Sequence, residues 1–361
     1  MSPLPAMPGM PALSPPSALS ALSMLSVPSA LPASPVPSPV RGRRPAASRS
    51  GRPGPARSLA TAALCALLLA AVPPHHPAVP LAAAGGGWSD AAATRYWTAD
   101  RTAAALAPTA PAGPAVAATR AGPRRAAAGP ATARRGRFFA GLPTVGVLFA
   151  TGRGARAHTC TASVVHSPHG DVVLTAAHCV GGTHRAFVPM YDGSGGRVRT
   201  PYGVWAVGGT WHPAGWTAHG PGSDLDVAFL RLRPDAHGRT VEHYTGANRL
   251  VTTASYVHRV TVVGYPAAGA HNRADRALRC AGPTVRLPGR RQMRFACHGF
   301  YGGTSGAPWL TGIDARTGRG DVIGEIGGEN GGGPERDSER VSYSPLLGSA
   351  ALAAYRGAAR T

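Results

Sequence analysis

The sequence predicts an all-β domain of short strands with a helix at its C-terminal end, carried behind a long low-complexity leader. Three observations predict it. Of 361 residues, 48 are Gly and 36 are Pro, too much backbone punctuation for a helical bundle or a coiled coil. From Phe138 onward, short β-rich runs recur at 144–149, 161–165, 172–174, 227–232, 260–263 and 322–326, separated by Gly, Pro, Asn and Asp clusters. Near the end, Ser344 can cap and Pro345 can start a helix through Leu346, Leu347, Ala350, Leu352 and Tyr355.

The leader comes first in chain order. Residues 1–58 are Pro/Ser/Ala-rich and then Arg-rich, without hydrophobic periodicity, and read as disordered. The basic stretch carrying Arg41, Arg43, Arg44, Arg49, Arg52 and Arg57 then meets an apolar run at 59–72, which is signal-peptide architecture. That run is too short for a conventional spanning helix, so no stable membrane association is expected after cleavage, the alternative being an uncleaved membrane anchor. An A-x-A site lies at Ala82–Ala84, and Leu64 before Cys65 argues against a lipid anchor. A start at Val40 would leave a compact basic flank. The expected organisation is therefore 1–84 leader and signal peptide, 85–136 propeptide or linker, and 137–361 the globular domain. The middle segment is Ala/Pro/Gly/Arg-rich and has few large apolar residues with which to form a core.

The net charge of +21 invites a nucleic-acid reading, but it is spread evenly. All the basic residues are Arg; residues 1–136 carry +11 and residues 137–361 carry +10. High Ala, Gly, Pro and Arg without Lys is the mark of GC-rich codon usage. Aromatics are 6%, and no nucleic-acid motif accompanies the charge, so no nucleic-acid partner is expected. The cluster Arg273, Arg276, Arg279, Arg286, Arg290, Arg291 and Arg294, broken only by Asp275, reads as solvated surface. Its alternative is a surface for anionic polymers.

Loss of Cys65 with the signal peptide leaves Cys160, Cys179, Cys280 and Cys297, an even set suited to an oxidising compartment and to secretion. Four cysteines allow three pairings, of which the local pairs Cys160–Cys179 and Cys280–Cys297 are preferred. The spacings are not those of zinc sites and no HExxH-type pair occurs, so neither metal nor cofactor is indicated.

Three segments carry chemistry. Residues 174–179 read LTAAHC and offer His178; 223–232 read SDLDVAFLRL and offer Asp224 and Asp226; 302–310 read GGTSGAPWL with Ser305 among small residues. A nucleophilic hydroxyl needs a base beside it, an acid to orient the base, and donors for the oxyanion. In this reading Ser305 attacks, His178 carries the proton, Asp226 fixes its tautomer, and the amides of Gly303 and Ser305 face the oxyanion.

At these residues, over about 142–355, the chain resembles the trypsin-like (chymotrypsin-fold) serine endopeptidases. TAAHC with the preceding Cys160 is a strong signal for that family, and GTSGAP stands where its GDSGGP stands. The order His, Asp, Ser is also the family's. HTCTASVV, LTAAHC and FYGGTSGAPWL together look most like the secreted bacterial branch near the glutamyl endopeptidases. The resemblance implies two antiparallel Greek-key barrels with the site between them, polypeptide substrates, and a monomer. It also favours Asp226, directly before the apolar strand, over Asp224. The competing readings are an inactive binding protein of the same fold and a basic secreted protein that binds anionic polymers.

The departures from the family pattern carry expectations too. Thr304 replaces the Asp that pairs with a new N-terminal amine in many members, so activation should not need such a terminus. Gly299 stands six residues before the serine, where basic-selective members place an Asp. The strand at 322–328, VIGEIGG, is expected to receive the extended substrate, with Ile326 leading into Gly327 and Gly328. If His298 lines the primary pocket, an acidic side chain fits there; if Glu329 does, a basic one.

Overall fold

The computed structural model describes residues 87–107, 134–152, 157–267, 272 and 275–360, all within the unit His76–Thr361. The low-complexity leader, the apolar run with Cys65 and the candidate cleavage site lie outside the described residues.

Six strands close into a barrel. They are β2 (Val145–Thr151), β3 (Ala157–Val164), β4 (Val172–Thr175), β5 (Thr183–Pro189), β6 (Trp205–Trp211) and β7 (Ala228–Leu232), in the order β2-β3-β4-β7-β6-β5. Because β5 pairs with β2 rather than with β4, the chain between β4 and β5 must cross an end of the barrel. That crossing is the segment that contains His178.

Alternation along the strands divides the apolar residues into two faces. Leu148, Ala162, Val164, Val173, Phe187, Trp205, Val207, Leu230 and Leu232 form one cluster with contributions from all six strands. The intervening residues, among them Val147, Phe149, Leu174, Val188 and Phe229, pack against helices and the second sheet. Both faces are buried, which is why 144–149 reads as a continuous apolar run.

The second sheet has eight strands. β8 (Arg249–Leu250), β9 (Arg259–Gly264), β10 (Ala277–Arg286), β11 (Gln292–Ala296), β12 (Pro308–Thr311), β13 (Asp321–Glu325) and β14 (Val341–Pro345) run in the order β14-β11-β10-β9-β12-β13-β8. β1 (Arg137–Phe139) pairs with β10. The sheet curls until β13 meets β14, where Ser344 Oγ accepts the Glu325 amide and Gly327 donates to Tyr343 O. Val262, Met293, Phe295, Trp309, Ile323 and Ile326 fill its core.

The C-terminal helix α4 is Ser349–Arg360, later than its expected start. Ser344 and Pro345 instead end β14, paired with Met293 and Gln292. The Ser344 hydroxyl is spent on the Glu325 amide and the Pro345 carbonyl rather than on a cap. α3 (Val241–Thr245) is a single turn.

Part of the segment at 85–136 is folded onto the barrel. α1 (Asp90–Tyr96) is capped by Ser89 and α2 (Ala99–Leu106) by Thr98. Trp88 Nε1 donates to Arg185 O and Trp97 Nε1 to His184 O, each at 2.7 Å. Asp90 Oδ1 accepts the Ala206 amide at 2.8 Å. The Tyr96 ring stacks on His184, 4.1 Å between centroids. Small alanines let these few aromatics seat closely, so a segment poor in large apolar residues still finds a core.

Candidate active site

His178 sits on the short turn Ala177–Cys179 that follows β4. The Cys160–Cys179 disulfide ties that turn back to β3, and Cys280–Cys297 ties β10 to the residue after β11. Asp226 follows the turn Gly220–Leu225 and leads through Val227 into β7. Pairing of β4 with β7, Thr175 opposite Ala228, brings the two residues together at one end of the barrel.

There the Asp226 carboxylate, 1% exposed, accepts three hydrogen bonds. Oδ2 takes His178 Nδ1 at 2.8 Å and the Gly328 amide at 2.8 Å, and Oδ1 takes the His178 main-chain amide at 2.9 Å. Three donors leave the buried carboxylate well compensated as an anion. The other sequence candidate is engaged elsewhere: Asp224 accepts from the Arg291 amide and from Gln292 Nε2.

Ser305 is placed by its neighbours in the loop between β11 and β12. Thr161 on β3 clasps that loop, donating its amide to Ser305 O at 2.7 Å and its hydroxyl to Gly303 O at 3.0 Å. Gly306 donates to Ile326 O. Gly303 and Gly306 have φ of 92° and 82°, left-handed values that a side chain would strain. A β-carbon on Gly306 would also strike the Thr161 carbonyl and the Thr175 hydroxyl, and would lie 3.1 Å from the Ala176 amide. The serine loop therefore packs directly against the end of β4, two residues before His178. Among the described residues no hydrogen bond joins the Ser305 hydroxyl to the imidazole, and the Gly303 and Ser305 amides are given to no protein acceptor. Thr304 is buried, its hydroxyl donated to Tyr301 O.

The remaining candidates divide. Gly299, His298, Leu278, Tyr301, Phe138, Gly136 and Arg135 line a cavity of about 190 Å³. Glu329 is not part of it. Its carboxylate takes Arg290 Nε at 2.6 Å, the Ser223 hydroxyl at 2.8 Å and the Gly220 amide at 3.0 Å. The Arg290 bond chiefly holds its pKa below the ordinary range. Ile326 lies beside the serine loop, donating to Ala307 O. Gly327 and Gly328, expected to leave room for an extended substrate, give their amides internally to Tyr343 O and Asp226. The turn Glu329–Gly331 then brings the chain past the imidazole; a β-carbon on Gly331 would lie 3.9 Å from His178 Nε2.

One acid escaped sequence reading. Glu325 on β13 is wholly buried, and neither carboxyl oxygen has a hydrogen-bond partner among the described residues. Burial, and then the negative Asp226 beside it, pushes its pKa well above the ordinary carboxyl value. The Gly306 N–H, itself bonded to Ile326 O, points its dipole at the same carboxyl and offsets part of that shift. A Glu inside an otherwise apolar strand, VIGEI, is the signal that could have flagged it.

Residues 160–324 match the model of the trypsin-like peptidase domain. The protease Anisep from Arthrobacter nicotinovorans superimposes with a TM-score of 0.53 at 23% identity, over 63% of this chain and all of that one. The thermostable serine protease AL20 from an extremophilic microorganism gives 0.52 at 27%, over 61% of this chain and 98% of that one. A Glu endopeptidase aligns more loosely, with a TM-score of 0.47 at 15% identity over 63% and 98%, too loosely to place the chain in that branch. None of the curated proteins matches the chain. The closed barrel, the curled second sheet and the likeness to Anisep define a chymotrypsin-like fold. The protein is a serine endopeptidase.

Proposed function

We propose that the enzyme cleaves polypeptides through an acyl-enzyme on Ser305, with His178 as general base and Asp226 as its orienting acid. The observation that carries this reading is the hydrogen bond from His178 Nδ1 to buried Asp226, beside a serine loop locked onto the end of β4. Nδ1–H held on the carboxylate leaves Nε2 as the acceptor lone pair. Ser305 Oγ attacks the peptide carbonyl while Nε2 takes its proton, and the oxyanion is met by the Gly303 and Ser305 amides. His178 then protonates the leaving amine; water, activated by the same base, releases the acid. Each oxyanion donor contributes roughly 3–4 kcal/mol in the transition state.

The cavity beside Gly299 is the candidate primary pocket. His298, not Glu329, stands in its wall, which favours an acidic side chain there. The basic flank, the apolar run at 59–72 and the two disulfides support secretion and action outside the cell. No helix among the described residues is long and apolar enough to cross a membrane. Profiling the secreted chain on a peptide library tests the reading. Cleavage after acidic residues, abolished by Ser305→Ala and by His178→Ala, is expected; a folded chain that cuts nothing would favour the inactive binding protein.

A further inference from the structure

The arm at 134–139 is held down by main-chain bonds, yet it crowds positive charge. Gly136 donates to His298 O and His298 donates to Arg134 O, both at 2.8 Å. β1 then pairs with β10, placing Arg137 directly opposite Arg279. Like charges facing each other across an antiparallel pair are unfavourable. Arg134, Arg135, Arg137 and Arg279 together line a cavity of about 570 Å³, whose other walls are Thr261, Cys280, Ala281, Ile313 and Ala315. Among the described residues none of the four arginines has a carboxylate partner; the ion pairs formed by Arg use Arg199, Arg249, Arg290 and Arg340. The acid closest in sequence to the apolar wall, Asp314, is exposed and engaged locally by the Arg316 and Thr317 amides and the Thr317 hydroxyl. Arg279 is steadied over the Phe139 ring at 4.8 Å, which presents its guanidinium as a fixed fork.

We propose that this groove is an exosite for an acidic stretch of the polypeptide substrate, separate from the primary pocket. Planar guanidinium forks pair with carboxylates in bidentate fashion, while Ile313, Ala281 and Ala315 receive the aliphatic stems of Asp and Glu. That mixed wall suits a peptide better than a phosphate chain. Arg135 lines this groove and the Gly299 cavity alike, so one peptide can run from the exosite toward the residues that lead into Ser305. Bound carboxylates would also relieve the Arg137–Arg279 repulsion. The proposal rests on the peptidase reading, but its test does not need hydrolysis.

The test is binding of a fluorescein-labelled oligo-glutamate peptide to the full chain carrying Ser305→Ala, followed by anisotropy across a salt series. Binding that weakens with salt is expected, and the pair Arg137→Glu with Arg279→Glu should weaken it at least about tenfold. Arg197→Glu and Arg233→Glu, exposed and away from the groove, are the charge-matched control and should retain it. With Ser305 intact, the groove variant should lose activity on a protein with an acidic stretch and keep it on a short peptide whose one acidic residue precedes the cleaved bond. No binding, equal binding by the groove variant, or binding of inorganic polyphosphate but not of oligo-glutamate would overturn the exosite. Binding without any hydrolysis by the Ser305 chain would leave the exosite standing and sink the peptidase mechanism instead.

Discussion

The Asp226 carboxylate bonds His178 twice, at Nδ1 over 2.8 Å and at the main-chain amide over 2.9 Å, with the Gly328 amide as a third donor. One acid thus fixes both the ring tautomer and the backbone that carries the ring. The main-chain bond also ties the turn after β4 to the start of β7, so the base is set in place by barrel closure.

This geometry separates the two acids functionally. Asp226→Asn should lower kcat on the order of 10⁴-fold, because an amide presents an N–H where the imidazole needs an acceptor. Asp224→Asn alters only the bonds to the Arg291 amide and to Gln292, away from the imidazole, and should leave kcat within about twofold. Steady-state kinetics on one peptide decides it; a severe Asp224→Asn would reverse the assignment.

Gly306→Ala should abolish reaction of the serine and destabilise the fold, since its β-carbon has no room between the Thr161 carbonyl and the Thr175 hydroxyl. Gly302→Ala, where a β-carbon meets nothing within 4 Å, is the control and should change neither. Thermal melts beside activity read both effects.

Glu325 gives the fold a pH dependence of definite sign. Its native pKa lies above the unfolded value, so the unfolded chain releases this proton first as pH rises. Stability therefore falls from about pH 4.5 upward until the native group itself ionises. Asp90, raised to about 6 by burial, slopes the same way only to that point, while His158, lowered by burial, slopes oppositely. Comparing wild type with Glu325→Gln cancels both. The variant should match wild type in acid and have the higher Tm at pH 8; a variant less stable at pH 8 would show that Glu325 is held as a stabilising anion.

Trp97 tests whether α1 and α2 belong to the folded unit. The ring is 5% exposed, lies 5.1 Å from Phe149 and donates to His184 O. In the chain that retains residues 87–107, Trp97→Ala should cost about 3–5 kcal/mol. Chemical denaturation measures this, and an unchanged midpoint would mean the helices contribute nothing.

Legibility in the sequence followed burial. β2, β4, β7 and β13 are buried almost throughout, and such strands announce themselves as apolar runs. β10 alternates buried residues with exposed Arg279, Ala281 and Pro283, and its Gly and Pro read as turn. β5 begins on exposed polar residues and β6 contains two glycines, so neither looked like a strand. Ser305 stood in a short motif because small residues are required beside it, and Asp226 stood out at the start of an apolar strand. α1 and α2 looked like low complexity, since their anchoring lies in indole N–H bonds to the barrel rather than in apolar periodicity. Of the arginines at 273–294, contiguous in sequence, Arg273 lies outside the described residues, Arg279 joins the arm at 134–139 and Arg290 pairs with Glu329.

The central claim is that His178 and Asp226 activate Ser305. The most direct measurement is labelling by a fluorophosphonate probe, with the modified residue mapped by mass spectrometry. Wild type should carry one label, on Ser305, and the label should vanish in His178→Ala although the serine remains. No label on folded wild type, or undiminished labelling of Ser305 in His178→Ala, would contradict the account.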